Sequence, residues 1–276
     1  MPTKDSNQRA YNAHVERDAS LSEAELLTSL QRGLAVLAAF RADRATLSLS
    51  EVAKATDLDR SSARRLLHTL VERGYLRTDG QSFGLHPKVL RIGNAYLGAL
   101  ALPELALPHL RALAGDLHEA VSMAVLDGDE IVYVARIPGR RLMSLSLTIG
   151  SRLPAHATSM GRVLLAARTD DWIDGYLASA TLHRLTETSI TDHALLRGEL
   201  QRTRRVGWSL VDQELETGLR SIAVPVHDAS GRVAAAIDIS SHAGRRDVDD
   251  LTGTMLPRLR RTAAAVEHDF HHRPRK

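Results

Sequence analysis

The 276-residue sequence predicts an α+β chain of two domains: an N-terminal winged helix-turn-helix, a linker helix, and a C-terminal domain of helices around one antiparallel sheet. Three features predict it. Two short helical stretches meet across Asp57-Leu58-Asp59, two β-like segments flank Asp79-Gly80 just beyond, and after residue 100 alternating segments pair around turn dipeptides.

Residues 1–26 mix Asn, Gln, Ser and charges without an apolar period and read as a disordered arm. From Ser29, Leu30, Leu34, Leu37 and Ala38 recur at helical spacing, with Val36 and Phe40 beside them. They predict a first helix ending near Asp43 with this stripe turned to a core. Ser50 occupies an N-cap position before a short helix, Glu51 to Thr56. Asp57 can adopt the left-handed conformation and Asp59 can cap the next helix. In that third helix, Arg60 to Arg73, the residues Ala63, Leu66, Leu67, Leu70 and Val71 complete an apolar stripe. At about 100° per residue, Ser61, Arg65, His68 and Glu72 point away from it, flanked by Ser62, Arg64 and Thr69. Gly74 stops the helix, and Tyr75-Leu76-Arg77 with Ser82 to Leu85 forms a hairpin, the wing.

A further helix comes after His86-Pro87, and the domain boundary falls near residue 100. Val121 to Leu126 and Ile131 to Ile137 flank Asp127-Gly128-Asp129 as a hairpin, and Leu142 to Ile149 alternates as another strand. Helices are expected at Ser159 to Ala167, Asp171 to Ala178 and Asp192 to Arg205. The sheet resumes at Ser209 to Val211, Ser221 to Val226 and Val233 to Ile239, before a closing helix from Asp247 to about His268. The organisation expected is therefore an arm (1–26), a winged helix-turn-helix (27–86), a linker helix (87–102), a second domain (103–270) and a basic tail (271–276).

Composition removes several classes. With 43% hydrophobic and 25% charged residues the chain is ordinary globular material. No apolar run approaches the roughly 20 residues of a membrane span. The polar N-terminus has no apolar segment of the secretory kind, so a soluble, cytoplasmic protein with no membrane partner is expected. The absence of cysteine excludes disulfides, thiolate metal sites and a cysteine nucleophile. The 13 histidines include no H-E-x-x-H, and His268, His271 and His272 read as part of a disordered basic tail, so no metal is expected. Ser159, His156 and Asp212 could make a hydrolase triad, but no G-x-S-x-G surrounds any serine. Without a P-loop or G-x-G-x-x-G either, no cofactor is implied and the reading is not an enzyme.

Charge points elsewhere. Residues 29–91 hold 11 Lys or Arg against 6 Asp or Glu, while the rest holds 25 against 27. A basic helix-turn-helix with a wing is the arrangement that lays one helix in a DNA major groove about 12 Å wide. Ser61, Ser62 and Arg65 would reach base edges, Arg65 foremost because a guanidinium gives guanine two parallel hydrogen bonds. Lys54, Arg60, Arg64, Arg73 and Arg77 would meet phosphates, with His68 and Thr69 on the same outer face. A small-molecule hydrolase and a DNA-binding protein that senses nothing are the alternatives.

Four stretches carry a resemblance: SLQRGLAVLAAF (Ser29 to Phe40), LSEVAKATDLDRSSARRLLHTLVERGYL (Leu49 to Leu76), LPAHATSMGRVLLA (Leu153 to Ala166) and GLRSIAVPV (Gly218 to Val226). In that order they resemble the IclR family of bacterial regulators over about residues 28–270, with Asp57 standing where relatives usually carry Gly. The resemblance implies operator DNA as one partner, and a homodimer or a dimer of dimers. It also implies a GAF-like C-terminal domain holding a small organic acid at Leu142, Met143, Ser159, Met160, Asp212, Leu219, Ser221, Asp238 and Ser240. There Ser159 and Met160 would offer helix N-terminal amides. Leu142, Met143 and Leu219 would supply apolar walls, and Ser221 and Ser240 hydroxyls. Asp238 replaces a hydroxyl-bearing residue of some relatives, and would repel an anion unless protonated or turned away. The stretch from Ile131 to Ala166 is most similar to the branch controlling protocatechuate and β-ketoadipate catabolism, which implies an aromatic acid or its dicarboxylate ring-cleavage product as effector. Arg136, Arg140 and Arg141 would suit such anions.

Overall fold

The computed structural model describes residues 27–41, 43–93, 102–139 and 147–272. The chain divides into two compact units, Met1–Tyr96 and Leu97–Lys276.

In the first unit, α1 (Thr28–Ala38), α2 (Leu49–Ala55) and α3 (Arg60–Glu72) pack around Val36, Phe40, Val52 and Leu67. Three strands, β1 (Thr46–Ser48), β2 (Leu76–Thr78) and β3 (Ser82–Leu85), form a sheet in the order β1-β3-β2. Leu47 opposite Phe83 ties this sheet into the helical core. The N-cap of α2 is Ser48 rather than Ser50. Its hydroxyl accepts the Glu51 N–H while the Glu51 carboxylate accepts the Ser48 N–H at 2.8 Å, a reciprocal capping box that starts the helix two residues earlier than expected. Asp57 adopts φ +51°, the left-handed geometry its position demands, and Asp59 caps α3 by accepting the Ser62 N–H at 2.9 Å. α1 departs from expectation on its apolar stripe. Val36 and Phe40 are buried, but Leu30 and Leu34 are exposed, because the buried arc lies one residue round from the leucine repeat.

The second unit is built on a six-stranded antiparallel sheet in the order β6-β5-β4-β9-β8-β7. Its strands are β4 (Ala120–Asp127), β5 (Glu130–Ile137), β6 (Arg152–Pro154), β7 (Ser209–Asp212), β8 (Leu219–His227) and β9 (Val233–His242). Alternation gives the sheet two different faces. On one, Val121, Met123, Ile222, Val224, Ile237 and Ile239 form an apolar layer under α4 (Leu102–Leu117) and α8 (Leu256–His271). α8 continues to His271, so the histidines assigned to a disordered tail lie largely on a helix; it begins from a π-helical segment, Asp250–Met255, that the periodicity did not signal. On the other face, α5 (Ser159–Ala166) lies across β4, β8 and β9, with α6 (Asp170–Ser179) and α7 (His193–Val206) outside it. Residues 142–146 of the expected strand at 142–149 and residues 94–101 of the linker helix lie outside the described residues, and 147–149 form no strand.

α5 approaches the sheet closely because its neighbours are small. Ala124, Ala223 and Ala236 lie beneath Met160, Val163 and Leu164. Gly161 packs so tightly on Ala155 that a Cβ there would collide with the Ala155 backbone and the Thr158 hydroxyl. Arg162, 1% exposed, anchors the helix. Its guanidinium donates to both Glu214 oxygens, at 2.8 and 2.5 Å, and its Nε to the His156 carbonyl at 2.9 Å. Glu214 also accepts the Ile190 N–H at 3.0 Å, so the pair joins α5 to the β7–β8 connection and to the segment before α7. Removing one partner of such a pair leaves an uncompensated buried charge. Glu214→Leu is therefore expected to cost about 3 to 5 kcal/mol in urea unfolding. An Arg162→Met/Glu214→Leu double variant should lose less than the sum of the two single changes; strict additivity would contradict the coupling.

Candidate DNA interface and candidate ligand face

α3 sets its face by burial. Ala63 and Leu67 are fully buried and Leu66 and Leu70 partly so, which leaves Arg60, Ser61, Arg64, Arg65, His68 and Thr69 exposed. Ser62 is the exception among the expected base-readers. At 8% exposure it lies on the core side of the first turn, its N–H committed to Asp59, and it is withdrawn from the outer face. Ser61 donates its hydroxyl to Asp59 at 2.6 Å, and these hydrogen bonds, Ser61 first and Ser62 next, hold the Asp59 carboxyl well below the usual range. The cap thus carries full negative charge beside Arg60 and leaves Ser61 with acceptor capacity only. His68 meets Phe83 of β3 edge-on at 6.1 Å, which couples the outer edge of α3 to the wing. The wing turn is fixed by Asp79, which accepts the Gln81 and Ser82 N–H groups at 2.9 and 2.7 Å. Arg77 lies exposed on β2, and Lys54 is exposed on α2.

The α5 side of the sheet carries polar groups at one end. Strand register places Arg136, Ser122, Asp238 and Ala223 in one row across β5, β4, β9 and β8. Ala120, Ser240 and Ser221 make the next row, and Leu219 continues the face along β8. Asp238 is 3% exposed. Its Oδ1 accepts the Ser122 N–H at 3.1 Å and its Oδ2 the Ser240 hydroxyl at 2.8 Å. Arg136 donates to Ser122 Oγ at 3.1 Å and lies over the Tyr133 ring, 5.8 Å from its centroid. Burial pushes the Tyr133 phenol up, with the Asp238 charge adding to it. At the edge of this face, α5 begins with Thr158 as N-cap, and the Ser159 hydroxyl is buried with no hydrogen-bond partner among the described residues. Ser209, on the Ala223 side, is in the same position.

Ser159, Met160, Leu219, Ser221, Asp238 and Ser240 therefore all belong to the α5 side of the sheet, whereas Asp212 does not. It pairs in register with Arg220 on the opposite face, where its Oδ1 accepts the Arg220 Nε–H at 2.6 Å; strand alternation turns it away. Leu142, Met143, Arg140 and Arg141 lie outside the described residues. The triad alternative fails on geometry as well. His156 Nε2 is engaged by the His183 carbonyl at 3.2 Å, Asp212 by Arg220, and Ser159 by neither. Sequence reading missed Ser122, Tyr133 and the Arg162–Glu214 pair. Arg162 is visible as one cation inside SMGRVLLA, and Ser122 as a polar break in a buried strand.

A winged helix-turn-helix with an exposed basic face, in one chain with an α+β domain whose sheet buries hydroxyls and a carboxylate, is the architecture of a DNA-binding regulator. Residues 29–80 match the IclR helix-turn-helix domain and residues 94–268 the bacterial transcriptional regulator IclR C-terminal domain. The chain belongs to the IclR family of bacterial transcriptional regulators. It is 45% identical over 242 residues to the Pca regulon regulatory protein of Pseudomonas putida, covering 87% of this chain and 83% of that one. It is 38% identical over 262 residues to the p-hydroxybenzoate hydroxylase transcriptional activator of Acinetobacter baylyi, covering 92% and 95%. Among solved structures, an IclR homolog from Microbacterium hydrocarbonoxydans complexed with 4-hydroxybenzoate superposes with a TM-score of 0.78 at 27% identity, covering 88% and 99%. Among the described residues, no helix is long and apolar enough to cross a membrane.

Burial pushes the Asp238 carboxyl up from 3.8 to about 6, against the lowering by Ser240, Arg136 and Ser122. A raised folded-state value means that the native protein takes up the proton before the unfolded chain does. Asp238 thus favours folding below about pH 4, and that contribution fades as pH rises through about 6. Urea titrations should show wild-type stability declining relative to Asp238→Asn across this window. Parallel curves for the two proteins would contradict the assignment.

Proposed function

We propose that the protein is a cytoplasmic regulator of aromatic-acid catabolic genes that binds operator DNA through α3 and a small organic acid on the α5 side of the C-terminal sheet. The effector is an aromatic acid or its dicarboxylate ring-cleavage product, and the working form is a homodimer or a dimer of dimers. The observation that carries the DNA reading is the exposed row Arg60, Ser61, Arg64, Arg65, His68 and Thr69, held outward by buried Ala63 and Leu67. Arg65 reads a base edge, while Lys54, Arg64 and Arg77 meet phosphates. Ser159, whose hydroxyl at the start of α5 has no partner among the described residues, together with Ser221 and Ser240, supplies the polar groups of the effector site. The gene class is supported by relatives that are themselves regulators of the Pca regulon and of p-hydroxybenzoate hydroxylase.

Footprinting of the upstream regions of neighbouring genes, with and without 4-hydroxybenzoate, protocatechuate and β-ketoadipate, tests both halves. A protected site whose occupancy responds to one of these acids is expected; no preference over bulk DNA would overturn the reading. Arg65→Ala should weaken operator binding by about 1 to 3 kcal/mol and relax specificity at one base pair. Arg77→Ala should weaken binding to all sequences alike and reduce the slope of log affinity against log salt by about 1. Exchange of these two outcomes would exchange the roles. Ser159→Trp should abolish the response to acid while leaving DNA binding intact.

A further inference from the structure

Ser61 stands exposed on α3, one turn before Arg65, in the N-terminal part of a recognition helix from which base edges are reached. A serine hydroxyl has one proton to donate and two lone pairs to accept with, so by type it meets a carbonyl oxygen or an amine equally well. Asp59 removes that freedom. Its Oδ1 accepts the Ser61 hydroxyl at 2.6 Å and the Ser62 N–H at 2.9 Å, and these hydrogen bonds hold the carboxyl well below its ordinary range, in the ionised form. A hydroxyl donating to a carboxylate makes one of the stronger side-chain hydrogen bonds. The proton of Ser61 is therefore spent within the protein, and the first turn of α3 presents two acceptors, Ser61 Oγ and the exposed Asp59 carboxylate.

Acceptors have nothing to offer a phosphate. For Ser61 to donate to a phosphate oxygen it would have to leave Asp59, and an ionised carboxylate stripped of that donor would then stand close to a second anion. The major groove supplies the donor that fits. Every base pair shows one exocyclic amine there, N6 of adenine or N4 of cytosine, and the matching place on the other strand holds thymine O4 or guanine O6. Resting on the DNA contact assigned to α3, we propose that Asp59 and Ser61 form a specificity determinant that reads an amino base, adenine or cytosine, on the strand it faces, and rejects the keto bases guanine and thymine there. Arg65 carries donors only and reads the opposite class. Four residues of helix advance about 6 Å and a base pair about 3.4 Å, so the two readings fall within about two base pairs of each other.

Competition binding of the full chain to its footprinted operator, with each base pair of a half-site exchanged singly for the other three, tests this. In wild type, one position near that governed by Arg65 should tolerate exchange of adenine for cytosine, yet lose about fivefold or more on exchange for guanine or thymine. Ser61→Ala should bring that ratio close to one, with the Arg65 position and the slope of log affinity against log salt unchanged. Asp59→Gly, a replacement that an N-cap tolerates, frees the Ser61 hydroxyl to donate. The same position should then accept amino and keto bases alike, and affinity for bulk DNA should rise as a negative charge leaves the interface. Uniform weakening on all sequences by Ser61→Ala makes the hydroxyl a backbone contact and overturns the inference. A keto preference at the position Ser61 governs, or an amino preference that survives either change, overturns it too, while the reading of DNA by α3 stands. Loss of all preference over bulk DNA in wild type overturns both together. Ser61 is exposed, so Ser61→Ala leaves the core untouched and decides alone should Asp59→Gly fail to fold.

Discussion

The C-terminal domain hangs on the Arg162–Glu214 fork. A helix of eight residues has little stability of its own. Arg162 fixes it at three points, two on Glu214 and one on the His156 carbonyl. Glu214 in turn is held by Ile190, while Ser189 donates to its carbonyl at 2.7 Å. One ion pair thus joins the helix that covers this face of the sheet to the connection that leads into β8, the strand carrying Leu219 and Ser221. Two desolvated charges are a costly way to gain stability, and well-packed apolar residues of like volume often do as well or better. What the fork supplies in addition is direction: bidentate geometry permits one orientation of α5, where apolar contacts alone would allow it to slide.

The two faces of the sheet that α5 is oriented against differ in composition. On the α4 and α8 side, branched and sulfur-containing side chains fill the layer beneath the two helices. On the α5 side, alanines bring the helix down at one end, and beyond them the same face carries Ser122 on β4, Asp238 and Ser240 on β9 and Ser221 on β8. Strand alternation alone separates the wholly apolar face from the one that carries polar groups. The N-terminal unit uses the same device on a helix. Ala63 and Leu67 turn inward, and the arginines turn outward because they cannot be buried without a partner.

Where burial follows a short period, the sequence is a good guide. The outward set on α3, the left-handed Asp57, the wing turn and the hairpin through Gly128 can all be read from local residue types. The errors share a cause. Helical geometry places Ser62 outward, yet a first-turn residue is governed by its cap, and Asp59 draws that turn inward. Ser48 outcompetes Ser50 as N-cap because Glu51 stands at the spacing that closes a capping box with the earlier serine. Asp212 shares a strand with buried Val211, but one step along a strand reverses the face, and family correspondence of position does not report that reversal. Ser122, Tyr133 and the fork join residues far apart in the chain, and no local pattern announces such partners.

Asp238 shows how a long-range arrangement gives a residue a meaning that its type alone conceals. Read by charge, an aspartate at an anion site is an obstacle. Read in place, it is held by a backbone amide and a serine hydroxyl, with a guanidinium in the same row of the sheet and small side chains around it. The surroundings neither neutralise it completely nor let it turn away. Its raised proton affinity is the cost of burial left over after those partners have acted. A carboxylate cannot donate while ionised, and the groups that face it here, the Ser122 N–H and the Ser240 hydroxyl, are donors.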